Sequence, residues 1–206
     1  MPEHATIHPR PGIMEIAPYV AGAARIEGAN RVVKLSANEN PFGPSPKAIE
    51  AYRAAADQLN VYPESHAPLA EAIAAVHGLE AERIVLGAGS DELIALLCRA
   101  YAGQGDEVLY SEHGFLMYRL SALASGATPV IAPERELTAD VDALIGAMTG
   151  RTRLVFLANP NNPTGTLLKA AEIARLADAL PKRALLVLDA AYAEYLRPEQ
   201  DDGAIA

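Results

Sequence analysis

From about residue 83 onward, short apolar runs alternate with longer amphipathic stretches, and no such alternation exists before residue 45. Arg83–Leu86, Glu107–Tyr110, Thr128–Ala132, Leu154–Leu157 and Ala184–Leu188 read as strands. Between them, Asp91–Tyr101, Phe115–Ser125, Val141–Met148 and Leu168–Leu180 read as helices. Upstream, Ser45 followed by Pro46 is a good helix start, with Ile49, Tyr52, Ala56 and Leu59 as its apolar stripe. A second helix runs from Pro68 to His77 and is stopped by Gly78. Strand–helix alternation predicts right-handed crossovers and a three-layer α/β fold, a mostly parallel sheet with helices on both faces.

Residues 1–40 are rich in Pro and Gly and lack sustained periodicity, so they are expected to form an extended N-terminal arm, with residues 41–206 as one domain. No internal repeat or low-complexity segment is present. After Tyr195-Leu196-Arg197-Pro198 the sequence reaches Ala206 without a closing helix, and the domain is expected to be incomplete.

At 206 residues and 50% hydrophobic content, the chain can bury one substantial core. Its formal net charge of −9 is spread rather than blocked, which argues against nucleic acid or an anionic membrane surface as partner. The first 19 residues carry Glu3 and Glu15 and no apolar core, so no signal peptide is read there. No apolar run approaches the roughly 20 residues that span a bilayer. The single cysteine, Cys98, lies in an apolar helical pattern and reads as a buried thiol. A soluble, cytoplasmic protein is expected.

The chemistry gathers at the ends of the apolar runs. Ala158-Asn159-Pro160-Asn161-Asn162-Pro163-Thr164-Gly165 makes no sense as core. It makes sense as a rigid loop presenting amides at the carboxyl end of a parallel strand, where open α/β sheets bind ligands. The run ending in Asp189 places a carboxylate at the tip of an apolar strand, costly to bury unless it meets a positive partner. Gly87-Ala88-Gly89-Ser90 joins a strand to a helix and reads either as a phosphate cradle or as a helix start capped by Ser90. The dinucleotide fingerprint fails, because its third glycine would fall at Glu92. Phe115 offers a face for stacking on a flat ring, or is a core aromatic. Glu112 and His113 lack a third ligand at a recognisable spacing, so no metal site is expected. A carboxylate that keeps a ring nitrogen protonated, with Asn162 and Tyr192 donating to a phenolate oxygen, is the arrangement required of pyridoxal 5′-phosphate (PLP).

Taken in order, these motifs resemble the fold type I PLP-dependent aminotransferases. They are Lys34-Leu35-Ser36-Ala37-Asn38-Glu39-Asn40-Pro41-Phe42-Gly43-Pro44-Ser45, Val61-Tyr62-Pro63-Glu64, Gly87-Ala88-Gly89-Ser90-Asp91-Glu92, the Asn-Pro loop and Leu188-Asp189-Ala190-Ala191-Tyr192. Within that group they are most similar to histidinol-phosphate aminotransferases, and Arg10-Pro11-Gly12-Ile13 with Ala17-Pro18-Tyr19 fits the same subgroup. The resemblance implies the large PLP-binding domain and an amino-group exchange between L-histidinol phosphate and 2-oxoglutarate in histidine biosynthesis. Aromatic aminotransferases and phosphothreonine decarboxylases share much of the pattern.

By the same resemblance, Gly89, Ser90 and Asp91 hold the cofactor phosphate and Phe115 stacks on the ring. Asn162 and Tyr192 contact its oxygen and Asp189 its nitrogen. Tyr62 reaches the phosphate in a neighbouring subunit, implying a homodimer with shared sites, and Tyr19 and Asn40 line the substrate pocket. Ala190 stands where the family has Glu. The Schiff-base lysine is expected after Tyr192, yet the lysines here are Lys34, Lys47, Lys169 and Lys182, none in that place. These residues are therefore expected to be the N-terminal part of such an enzyme and not to transaminate alone. If they were complete, they would read as a non-catalytic phosphate-ligand binder.

Overall fold

A computed structural model describes residues 9–17, 27–28, 32–35, 37–63 and 65–200. In chain order the helices are α1 (Pro46–Ala55), α2 (Ala67–His77), α3 (Gly89–Tyr101), α4 (Leu116–Ser125), α5 (Val141–Ala147) and α6 (Ala170–Asp178). The strands are β1 (Glu107–Ser111), β2 (Thr128–Ala132), β3 (Glu134–Arg135), β4 (Thr138–Ala139), β5 (Thr152–Ala158) and β6 (Leu185–Asp189). The chain divides into two compact units, Met1–Ile16 with Leu69–Ala206, and Ala17–Pro68.

In the larger unit, β2-β1-β5-β6 form a parallel sheet in that order, and β3 and β4 form a small antiparallel hairpin. Side chains alternate across a strand, so each strand feeds both faces. Val108 and Tyr110 of β1 join Leu154, Phe156 and Ala158 of β5 in one cluster with Ile94 and Cys98 of α3 and Tyr118 and Ala122 of α4. Leu109, Val155 and Leu157 point the other way and pack with Val141 and Leu144 of α5 and Ile173 and Leu176 of α6. Helices thus cover both faces of the sheet, as the alternating pattern predicts. Cys98 is buried as expected, and burial pushes its thiol up to about 11.

Arg83–Leu86 is the exception. Ala81–Arg83 is a 3-10 turn, Ile84 is extended, and residues 84–87 belong to no strand among the described residues. An apolar run can take an extended backbone, but it becomes a strand only where a neighbour completes its ladder. In the smaller unit, α1 starts at Ser45 and Pro46 as predicted, but Ser45 makes no side-chain cap and the stripe residues Tyr52 and Leu59 stay exposed.

At the amino edge of the sheet, buried Glu107 opens β1. Its carboxylate accepts from Thr149 Oγ1 at 2.5 Å, from Thr152 Oγ1 at 3.4 Å and from the Arg151 guanidinium. Burial works against this charge, but the Thr149 and Arg151 hydrogen bonds and the Arg151 charge outweigh it and hold the pKa below its ordinary value. A lowered carboxylate pKa gives stability that is complete above the unfolded value of about 4.3 and is lost as pH falls through the folded value. Glu107→Ala should therefore cost about 2 kcal/mol at neutral pH by leaving these donors unpaired. In urea unfolding, the gap from the unsubstituted protein should narrow as pH drops below about 4.

Candidate active site

The register sets Ser111 beside Ala132 and Ala158 beside Asp189, so the carboxyl ends of all four parallel strands share one edge. The chain runs from β1 out to β2, returns past β1 to β5, and continues out to β6. The order therefore reverses between β1 and β5, the place where open α/β sheets leave a crevice for a ligand.

The loop after β5 is held from within. Asn159 is buried, its Nδ2 donating to the Leu168 carbonyl at 3.2 Å and its Oδ1 accepting from the Leu168 amide at 2.8 Å. Its backbone N–H donates to the Asp189 carbonyl at 3.0 Å, which ties the loop to the end of β6. Asn161 donates through Nδ2 to the His113 carbonyl at 3.1 Å and to Thr164 Oγ1 at 2.8 Å. The Gly165 N–H closes the turn onto the Asn161 carbonyl at 2.8 Å, with Gly165 at φ +70°. Both Asn-Pro bonds, Asn159-Pro160 and Asn162-Pro163, are cis.

The β3–β4 hairpin, which the hydrophobic pattern does not reveal, braces two loops. The Glu134 carboxylate accepts from the His113 N–H at 2.9 Å and pairs with His113 Nδ1 at 2.9 Å. Thr166 Oγ1 donates to the Leu137 carbonyl at 3.0 Å and shares a 2.8 Å hydrogen bond with Thr164 Oγ1. Glu134, His113, Asn161, Thr164, Thr166 and Leu137 thus form a closed circuit around the loops after β1 and β5. His113 serves in this circuit, and among the described residues no group of three His, Cys, Asp or Glu is placed to hold a metal.

Between these loops and the start of α3 lies a cleft with about 300 Å3 of empty space, lined by Ser90, Phe115, Ala158, Pro160, Asn162, Asp189, Ala191 and Tyr192. Five residues singled out in the sequence, Ser90, Phe115, Asn162, Asp189 and Tyr192, meet there from four separate stretches of chain. Gly89 and Asp91 flank Ser90 in the first turn of α3 and do not line the cleft. The N-cap is Ala88, so Ser90 is the second helical residue and does not cap the helix. Glu92 instead folds back and accepts from the Ala88 N–H at 2.5 Å. Gly89, at φ +78°, lets the chain enter the helix from the left-handed region. Asn40 and Tyr62 belong to the smaller unit: Asn40 Oδ1 accepts from the Phe42 N–H at 2.9 Å, and the Tyr62 ring is exposed. Tyr19 lies outside the described residues.

Asp189 has a partner that the sequence did not single out. The Tyr118 hydroxyl, from the first turn of α4, donates to Asp189 Oδ2 at 2.7 Å, and the Ala191 N–H donates to Oδ1 at 3.2 Å. Tyr118 is fully buried and stacked on Phe156, with centroids 4.6 Å apart and planes 8° from parallel. Phe115 meets Tyr118 edge-on at 5.9 Å, so it both touches the core and faces the cleft. The helical spacing of Tyr118 from Phe115 was the available signal, but a tyrosine in an apolar helix pattern reads as core. An aromatic face, an amide, a phenol, a carboxylate and a helix N-terminus converge here. Together they suit a flat, polar heterocycle bearing an anionic group.

The fold and this cleft define an α/β transferase-type domain with its ligand crevice at the sheet's switch point, and residues 30–205 match the family described as aminotransferase class I and II. The chain belongs to that family. It is 63% identical over 191 residues to the histidinol-phosphate aminotransferase of Ruegeria sp. (strain TM1040), covering 92% of this chain and 53% of that protein. It is 61% identical over 198 residues to the enzyme of the same name from Dinoroseobacter shibae, covering 96% of this chain and 55% of that protein. Among solved structures, histidinol-phosphate aminotransferase from Sinorhizobium meliloti in complex with pyridoxal 5′-phosphate aligns with a TM-score of 0.75 at 33% identity. That match covers 80% of this chain and 45% of the other. The chain spans about half the length of the curated relatives it matches.

Two buried phenols of one core cluster, Tyr118 and Tyr110, carry a pH signature. Burial, then the Asp189 charge and hydrogen bond, push the Tyr118 hydroxyl upward, and burial does the same to Tyr110 against the opposing charge of Arg119. A raised folded pKa means stability that is complete below the unfolded value of about 10 and declines as pH rises above it. Urea unfolding between pH 9 and 11.5 should show that decline, with a shallower slope in Tyr118→Phe. The difference should reach at most about 1.4 kcal/mol per pH unit.

Proposed function

We propose that the cleft binds PLP and that the protein exchanges an amino group between L-histidinol phosphate and 2-oxoglutarate, as a histidinol-phosphate aminotransferase of histidine biosynthesis. The observation that carries this reading is the convergence of Ser90, Phe115, Asn162, Asp189 and Tyr192 on one crevice at the carboxyl edge of the sheet. The name that the relatives at about 60% identity share supports histidinol phosphate as the amino donor.

The donor set fits the cofactor. Phe115 offers its ring to one face of the pyridine, and Asp189 is an anion for the protonated ring nitrogen. Asn162 and Tyr192 can each donate to the ring oxygen. Gly89, Ser90 and Asp91 open α3, whose first-turn N–H groups and dipole attract a phosphate. When bound, PLP would supply the electron sink that lets the amino donor give up the proton on its amino-bearing carbon. The task of Asp189 is to hold positive charge at the ring nitrogen, and Tyr192 and Asn162 fix the orientation of the ring. Among the described residues no lysine lines the cleft. We assign the lysine that carries the cofactor and moves the substrate proton to sequence outside these residues, so the 206 residues alone are read as a cofactor cradle without turnover.

Residues 41–206 are read as the large domain and residues 1–40 as an arm. A homodimer accounts for the smaller unit, where Phe42, Tyr52, Leu59 and Tyr62 expose apolar surface of the kind that marks protein contacts. Tyr62 is the residue given to the neighbouring subunit's cofactor phosphate. The cytoplasm is the compartment for such a reaction, and among the described residues no helix is long and apolar enough to cross a membrane.

The test is turnover by the full-length gene product with PLP on histidinol phosphate, phenylalanine and threonine phosphate as amino donors or substrates. Preference for histidinol phosphate with 2-oxoglutarate is expected. Preference for phenylalanine, or decarboxylation of threonine phosphate, would replace this reading by a related enzyme on the same scaffold. In that protein, Asp189→Ala should lower turnover by about 100-fold or more with the fold retained by circular dichroism. Ser90→Ala should weaken PLP binding by about 10-fold, the worth of one hydrogen bond to a charged group, while slowing chemistry less.

A further inference from the structure

We propose that Tyr118 is a positioning residue for the cofactor site, its buried hydroxyl holding the Asp189 carboxylate in the orientation that meets a cationic ring nitrogen. The proposal rests on the reading of the cleft as a PLP site.

Three observations carry it. First, the contact is direct: Tyr118 Oη lies 2.7 Å from Oδ2 of Asp189, the last residue of β6. Second, the donor cannot wander. Its ring is stacked on Phe156 at 4.6 Å, met edge-on by Phe115 at 5.9 Å and flanked by Tyr110 at 6.2 Å, and no part of it is exposed. A swing of the hydroxyl would require repacking the centre of one core cluster. Third, the partner is neutral. Among the described residues no salt bridge reaches Asp189, so no side-chain cation competes there with a cationic ligand. An arginine or lysine in place of Tyr118 would compete with the ring nitrogen for that charge. A phenol fixes the direction of the carboxylate and leaves its charge unmatched.

With the Ala191 N–H on Oδ1, each oxygen of Asp189 has one donor and retains further acceptor capacity. Phe115 and Tyr118 are three residues apart at the start of α4. One rigid turn therefore sets both the aromatic surface that faces the cleft and the anchor of its carboxylate.

A double-substitution cycle in the full-length protein tests this, with the PLP dissociation constant measured by titrating the apoprotein and with melting temperature measured alongside. Tyr118→Phe keeps the ring and its stacking and removes only the donor. It should weaken PLP binding by about 5- to 10-fold. Introduced into Asp189→Asn, the same change should alter PLP affinity by less than about 2-fold, because Tyr118 acts through that carboxylate. An equal loss in both backgrounds, or no loss in the unsubstituted background, overturns the proposal and leaves Tyr118 a core residue. If Asp189→Asn itself leaves PLP affinity unchanged, the cofactor assignment falls and this proposal falls with it.

Discussion

The parallel pairing of β5 with β1 on one side and β6 on the other is the constraint on which the site depends. It fixes the heights at which three strands end, and every cleft residue except Ser90 lies on the last residue of those strands or just beyond. A slip of one residue in β5 would exchange Phe156 with Val155 or Leu157 across the sheet, because side chains alternate between faces. Phe156 would then leave Tyr118, and the register opposite Asp189 would be lost. Core packing and site geometry are the same constraint seen from two sides.

Around that frame, polar groups do what a hydrophobic core cannot. Asn159 and Asn161 satisfy loop carbonyls and amides that burial would otherwise leave unpaired, and such orphaned groups cost of order 1–3 kcal/mol each. The hairpin at Glu134–Ala139 adds a brace from outside, through a carboxylate on His113 and a carbonyl on Thr166. The loops that carry Phe115 and Asn162 are thus set by hydrogen bonds to partners remote in sequence.

Much of this was legible in the sequence because the responsible signals are local. Apolar runs bounded by Gly, Pro or Asn gave β1, β2, β5 and β6 to within two residues, and the helices between them likewise. Ser90, Phe115, Asn162, Asp189 and Tyr192 were readable because polar or aromatic groups stand at strand ends and helix starts. What stayed hidden depends on tertiary context. The two-residue strands of the hairpin are too short to show a period. Arg83–Leu86 has the composition of a strand and lacks a ladder partner among the described residues. Tyr118 looks like core, and it is core, so its hydroxyl acquires meaning only when the sheet brings Asp189 alongside. Asn161 reads as a turn-former until the His113 carbonyl is seen beneath it.

The circuit through His113 has a further implication for how this sequence can drift. His113 contributes its main-chain N–H to Glu134 and its main-chain carbonyl to Asn161, so two of its three links are made by atoms that every residue type except proline possesses. The neighbouring Gly114 is different: a Cβ there would stand 2.9 Å from the Ser111 carbonyl oxygen. Side-chain identity is therefore loosely constrained at position 113 and tightly constrained one residue later. The architecture of the rim can persist through changes at His113 that would be misread as loss of a functional histidine.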